Sequence, residues 1–257
     1  MSASFPYYEG YDHYRARYPD QAIAKILDGL PVDSLVVADI GAGTGIGSRQ
    51  LADQGAQVIA IEPGADMRRG APTYDGVKFI EGSAENIPLE TASVDLVTAF
   101  QAFHWFDFTK SLQEFRRILK PNGRLALVWN FWDQQDIASQ AYTKHLYQAA
   151  NTTDQYLKPE QKFSLRKQLD KFRYQLFWHG ITLPYFQQLE RFYFATEQLL
   201  DLEDLIGLAR SQGSIPQSGE VLHQLIVKLT EFYDHYASPQ GFVRIVYKTH
   251  VYLAHRS

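Results

Sequence analysis

A chain of 257 residues with a formal net charge of −4 can bury a sizeable core, and it carries no basic run that would recommend a nucleic-acid partner. It has no cysteine, which excludes disulfides, thiolate metal sites and cysteine nucleophiles together. No run approaches the roughly 18 apolar residues of a membrane span. No apolar block of a signal peptide interrupts the polar, aromatic stretch from Met1 to Tyr18, so a soluble cytoplasmic protein, monomer or homodimer, is expected.

The stretch from Ser4 to Pro19 is dense in tyrosine and arginine: Tyr7, Tyr8, Tyr11, Tyr14, Arg15, Arg17 and Tyr18. Two readings stay open. Flat rings with polar ends suit a segment that caps an opening, and the same residues suit an amphipathic helix packed on a sheet. Pro19 then introduces a helix at Asp20 with Ile23, Ile26, Leu27 and Leu30 on one face, ended between Gly29 and Pro31.

Val36 to Ile40 has the apolar, β-branched composition of a buried parallel strand. Gly41, Gly43, Gly45 and Gly47 follow at every second position, and a helix is expected from Ser48 to Gln54. A strand that breaks into glycines and then a helix brings bare backbone close to a ligand at the positive helix end. A dinucleotide fingerprint wants glycines at the first, third and sixth positions; counted from Gly41, the sixth is Ile46. The loop fits a nucleotide-binding plan and departs from the NAD pattern.

A second strand, Gln57 to Ile61, ends in Glu62, about 20 residues past the loop, where an acid can accept hydrogen bonds from ribose hydroxyls. A third, Val77 to Ile80, runs into Gly82-Ser83-Ala84-Glu85. A fourth, Val94 to Phe100, runs into Gln101-Ala102-Phe103-His104-Trp105-Phe106-Asp107, and Asp107 is placed to cap a helix from Phe108 to Leu119. A fifth, Arg124 to Trp129, follows a helix stop at Lys120-Pro121-Asn122-Gly123.

Ligands sit at the carboxyl ends of such strands. His104 there reads either as a base that removes a proton from an attacking atom or as a structural histidine holding the loop. Trp105, Trp129 and Trp132 read as walls of an apolar acceptor site, with core packing as the alternative for the last two.

From Asp133 to about Phe177 the pattern is helical, with Phe163, Leu165, Leu169 and Phe172 among its apolar positions, and reads as an inserted helical cover. A strand (Gln188 to Thr196), a helix (Leu199 to Arg210), a loop rich in Ser, Gly and Pro, a helix (Glu220 to Tyr236) and a final strand from Gly241 to Ala254 complete the chain.

Five motifs stand in register: Asp39-Ile40-Gly41-Ala42-Gly43-Thr44-Gly45, Ile61-Glu62-Pro63, Glu81-Gly82-Ser83-Ala84-Glu85, Ser93-Val94-Asp95-Leu96-Val97 and Leu119-Lys120-Pro121-Asn122-Gly123. Together they resemble the class I S-adenosylmethionine-dependent methyltransferases, in the type 11 branch that includes the trans-aconitate methyltransferase group. The resemblance implies an α/β fold: a Rossmann-like, seven-stranded, mostly parallel sheet with an antiparallel edge hairpin. It implies one methyltransferase domain over 1–257, with a cofactor core at about 20–132, a helical insertion at about 133–180 and C-terminal elements at 181–257. The cofactor would be S-adenosylmethionine. Gly41, Ala42, Gly43 and Gly45 would admit its methionine portion, Asp39 would hold its ammonium, Glu62 its ribose, and Gln101 its methionine end. Met67 would lie on the adenine, with Ser83, Ala84 and Glu85 at the adenine edge; Ser83 stands where aspartate is commoner in the family. The partner would be a small apolar or planar acceptor, met by Tyr7, Tyr14, Arg15, Tyr18 and the three tryptophans, with Arg15 and Arg17 available to an acceptor carboxylate. A non-catalytic regulatory protein that binds S-adenosylmethionine is the alternative; a nicotinamide oxidoreductase on the same plan is disfavoured by Ile46.

Overall fold

The structure is a computed structural model that describes residues 10–156 and 185–257. Tyr7 and the expected cover residues Phe163, Leu165, Leu169 and Phe172 lie outside the described residues. Five parallel strands come first: β1 (Val36–Ile40), β2 (Gln57–Ile61), β3 (Val77–Ile80), β4 (Val94–Phe100) and β5 (Leu119–Trp132). Two antiparallel strands, β6 (Phe186–Leu200) and β7 (Val243–Arg256), complete a seven-stranded sheet of order β3-β2-β1-β4-β5-β7-β6.

The helices are α1 (Tyr11–Tyr14), α2 (Asp20–Leu27), α3 (Ile46–Ala52), α4 (Ala65–Gly70), α5 (Phe108–Ile118), α6 (Ile137–Tyr156), α7 (Leu202–Arg210) and α8 (Glu220–Tyr236). One side of the sheet is covered by Leu112, Phe115 and Ile118 of α5, packed with Trp129 and Leu127. On another cluster, Ile23 and Ile26 of α2 and Leu51 of α3 meet Val37, Leu96 and Val128. Burial on both sides explains why β1 and β4 are mostly apolar, with Asp39 and Thr98 buried among them. A third cluster joins Tyr142 of α6, Leu205 of α7 and Leu229 of α8 to Val243, Ile245 and Tyr247 of β7.

Four boundaries depart from the sequence reading. Helix α3 starts at Ile46, not Ser48, because Gly45 itself ends the loop. Helix α5 stops at Ile118, and the expected stop segment is already part of β5: Leu119 pairs with Val94 and Arg124 with Leu96. Residues 120–123 therefore bulge opposite Asp95, whose carboxylate receives Lys120 Nζ at 2.8 and 2.9 Å. The last helix-preceding strand, β6, is longer than its alternation implied, continuing to Leu200, so α7 begins at Leu202. Finally, β7 runs from Val243 to Arg256, two residues later at each end than expected, and pairs antiparallel with β6 at the sheet edge, with α7 and α8 between them as expected.

The cap predicted at Asp107 is in place, and Asp201 provides a second that the sequence reading lacks. Asp107 accepts from Lys110 N at 3.1 Å, and Asp201 accepts from Asp204 N at 2.8 Å. No helix among the described residues is long and apolar enough to cross a membrane.

Candidate active site

The glycine loop leaves β1 with its first two amides, Gly41 N and Ala42 N, donating to the carbonyl of Ile61 at 2.8 and 3.1 Å. That ties the loop to the end of β2. Gly43 has φ 60°, and a Cβ added there would meet nothing within 4 Å, so bare backbone faces open space. Gly47 does a different job. A Cβ on it would lie 2.3 Å from the Phe100 ring, so helix α3 can sit against β4 only because that side chain is missing. The close helix–strand packing that the third glycine of a dinucleotide fingerprint provides is supplied here one residue later.

Glu62 spans the opening beside this loop. Its Oε2 accepts from Gly43 N at 2.9 Å and its Oε1 from Gly64 N at 2.8 Å. Burial raises its pKa, while the two amides and Arg68 pull the other way. Met67 is buried in the first turns of α4 and packs over Gly64, next to that carboxylate.

Asp39 lies deeper. It is 1% exposed, and its carboxylate oxygens accept from Ser48 Oγ at 2.5 Å and Thr98 Oγ1 at 2.9 Å. Burial pushes its pKa up to about 7 against those hydroxyl bonds, and the nearby Glu62 charge adds to the rise. Asp39 thus braces the loop from below.

Beyond β3, Ser83 forms an isolated bridge with Asn86, and Ala84 is buried. Glu85 turns toward the β4 loop: its Oε1 accepts from Asp107 N at 2.8 Å. In that loop Gln101 adopts φ 53°, a conformation that a side chain bearing Cβ takes only when its surroundings enforce it. Its amide donates to Val128 O at 2.8 Å and its Nε2 to Asn130 O at 2.8 Å. The next residue, Ala102, lies against Gly41.

His104 follows, half-buried, with Nδ1 accepting from Trp129 Nε1 at 3.2 Å; burial lowers its pKa to about 4. Trp105 is exposed beside it. The two strand tryptophans do not share a wall. Trp129 is fully buried beneath His104, while Trp132, an odd number of residues further on, points to the other face and packs on Tyr142 and Tyr247.

The tyrosine-rich segment crosses this end of the sheet. Tyr18 is buried on Phe100, and both its backbone groups are bound by the Gln50 amide, at 2.9 and 2.7 Å. Arg15 donates to Ser211 O at 2.7 Å and lies over the Tyr11 ring; among the described residues its buried Nε has no partner and no carboxylate pairs with it. Arg17 is exposed and reaches Asp53 at 3.4 Å. The Tyr14 ring lies on Gly207 of α7. Sequence reasoning missed Asp12, which accepts from Thr44 Oγ1 at 2.6 Å and ion-pairs with Arg49, strapping the segment to the glycine loop. Nothing in the local pattern marks that aspartate, since its partners lie more than thirty residues away.

Known proteins resemble this chain in sequence and fold. Residues 38–127 match a family described as a methyltransferase domain. An uncharacterized methyltransferase of Mycobacterium tuberculosis is 39% identical over 140 residues, covering 52% of this chain and 55% of its own. Another from Schizosaccharomyces pombe is 39% identical over 129 residues, covering 48% of this chain and 50% of its own. The chain spans about half the length of these curated relatives. Among solved structures, a candidate type II methyltransferase from Anaeromyxobacter dehalogenans shares the fold, with TM-score 0.67 and 23% identity over 94% of this chain and 97% of that one. A candidate methyltransferase from an antibiotic biosynthesis pathway of Anabaena variabilis superposes with TM-score 0.57 and 25% identity, over 90% of this chain and 95% of that one. Residues 38–127 thus match a methyltransferase domain, and the chain as a whole shares the fold of the solved methyltransferases.

Proposed function

We propose that this chain transfers the methyl group of S-adenosylmethionine to a small, apolar or planar acceptor bearing a carboxylate. The observation that carries the cofactor half is the pairing of open backbone at Gly43 with the Glu62 carboxylate, 2.9 Å apart at the carboxyl ends of β1 and β2. The bare backbone there leaves room for the methionine portion, and Glu62 suits two vicinal hydroxyls. Met67 offers a polarizable thioether to the adenine face. Ser83 and Ala84 serve the adenine edge, and Gln101 the methionine end.

When bound, the cofactor supplies a methyl group already activated on a sulfonium. The protein's task is then chiefly to hold acceptor and methyl in line, an orientation worth roughly 7–11 kcal/mol. On the acceptor side, Tyr14, Tyr18 and Trp105 supply flat apolar surface, and Arg15 supplies charge. A partly buried guanidinium with an orphaned Nε and no acid beside it lacks the partner that buried charges ordinarily have. Arg17 does not share that role, being exposed and directed at Asp53.

Calorimetric titration with S-adenosylhomocysteine and with NADH tests the cofactor, and a tritiated-methyl screen over carboxylic acids, phenols and amines tests the acceptor. We expect S-adenosylhomocysteine to bind and NADH not to. The best acid should lose about tenfold or more in KM on Arg15→Met. Transfer to amines alone, unaffected by Arg15→Met, would defeat the acceptor assignment.

A further inference from the structure

Arg68 stands one residue past Met67, outside every motif used above. Its side chain is 19% exposed and runs back under the mouth of the loop. Nη1 donates to the carbonyls of Glu62 at 2.6 Å and Pro63 at 2.9 Å, and Nη2 ion-pairs with Glu81 at 2.6 Å. One guanidinium therefore clamps the backbone that carries Glu62 to the end of β3. The Glu62 carboxylate is meanwhile fixed from the other side by Gly43 N and Gly64 N.

We infer that Arg68 is a positioning residue: by gripping two successive carbonyls and Glu81 at once, it sets the direction from which Glu62 meets the hydroxyls of a bound nucleoside. The inference rests on the cofactor reading given above. Lysine cannot replace it, because a single ammonium has no planar fork to serve carbonyls and carboxylate together. The position is also economical in sequence terms, since α4 places residues 67 and 68 on adjacent sides of one turn. Met67 faces inward, and Arg68 reaches across the two strand ends.

The test compares affinity for 5′-methylthioadenosine and for its 2′,3′-dideoxy analogue by calorimetry on the full chain. The wild type should prefer the hydroxylated ligand by about tenfold, and Glu62→Ala should abolish the preference. Arg68→Met should cut the preference at least fivefold while changing affinity for the dideoxy ligand less than about twofold, with Arg68→Lys recovering only part. Glu81→Gln, which spares both carbonyl bonds, should keep most of the preference. Equal weakening of both ligands by Arg68→Met would mean a general brace and overturn the inference, as would an unchanged preference. If Arg68→Met does not fold, a full preference in Arg68→Lys overturns it equally. A wild type that binds neither nucleoside defeats the cofactor reading and this inference with it, whereas a preference that survives in the Arg68 variants defeats the inference alone.

Discussion

Trp129 donates its indole N–H to Nδ1 of His104. A neutral imidazole that accepts at Nδ1 carries its proton on Nε2, so the ring presents a donor, not a base, to whatever lies beyond it. With its pKa lowered by burial to about 4, the ring stays neutral through the physiological range. We expect His104→Gln, which keeps a donor near the Nε2 position, to retain turnover within about threefold, and His104→Ala to lose about tenfold. Loss of a pH inflection in His104→Gln that the wild type shows would restore the general-base role. Stability carries the same signature. Between about pH 4 and 6.5 the unfolded chain holds a proton on His104 that the native chain does not, so this group makes stability rise with pH across that window.

Asp39 behaves in the opposite sense. Its folded pKa, about 7, lies above the unfolded 3.8, so the native chain binds the extra proton between those values. The stability it contributes is present below pH 3.8 and is lost as pH rises through about 7. At about 1.4 kcal/mol per unit the ionised carboxylate costs the native state on the order of 4 kcal/mol. Asp39→Asn should therefore raise the melting temperature at pH 8 and leave it nearly unchanged at pH 4, as read by calorimetry. A lower melting temperature at pH 8 would show that the ionised form is the stabilised one.

Gly47 and Gly43 should fail for different reasons. Gly47→Ala drives a methyl group into the Phe100 ring and should destabilise by about 1–3 kcal/mol, partly relieved in a double variant with Phe100→Leu. Gly43→Ala meets no atom, but its φ of 60° should cost about 1–2 kcal/mol, and Phe100→Leu should not relieve it. Urea denaturation of the four variants separates the two mechanisms; equal rescue at both positions would contradict this account.

Gly207→Ala places a methyl group 2.3 Å from the Tyr14 ring and should undock α1 from α7. Asp12→Ala should release the same segment from Thr44 and Arg49. Amide hydrogen exchange at residues 11–15 should quicken by about tenfold in either variant while β1 and β4 stay protected. Unchanged exchange in both would mean that Tyr18 and Gln50 alone hold the segment down.

The parallel half of the sheet was legible because its signals are local. Strands buried on both faces are mostly apolar, glycines mark the loop, and Asp107 marks a cap. What escaped depends on partners remote in sequence. Pro121 and Gly123 look like a stop, yet pairing with Asp95 absorbs them into β5 as a bulge. Glu85 looked free for a ligand until its acceptor role at Asp107 N placed it in the loop. Trp129 and Trp132 were grouped by closeness in the chain, although strand alternation separates them. Asp12 had no local signal at all.

Strand β7 lies between β5 and β6, bonded to both, and those two neighbours never touch. Leu200 meets Val243 only across α7 and α8, and Trp132 meets Tyr247 across α6 and β6 as well. Strand β6 pairs with β7 across that span, and closure of contacts so distant in the chain is entropically costly. The last strand of the chain is thus the seam of the sheet, joining an edge that precedes it by two helices to a parallel half laid down far earlier in the sequence.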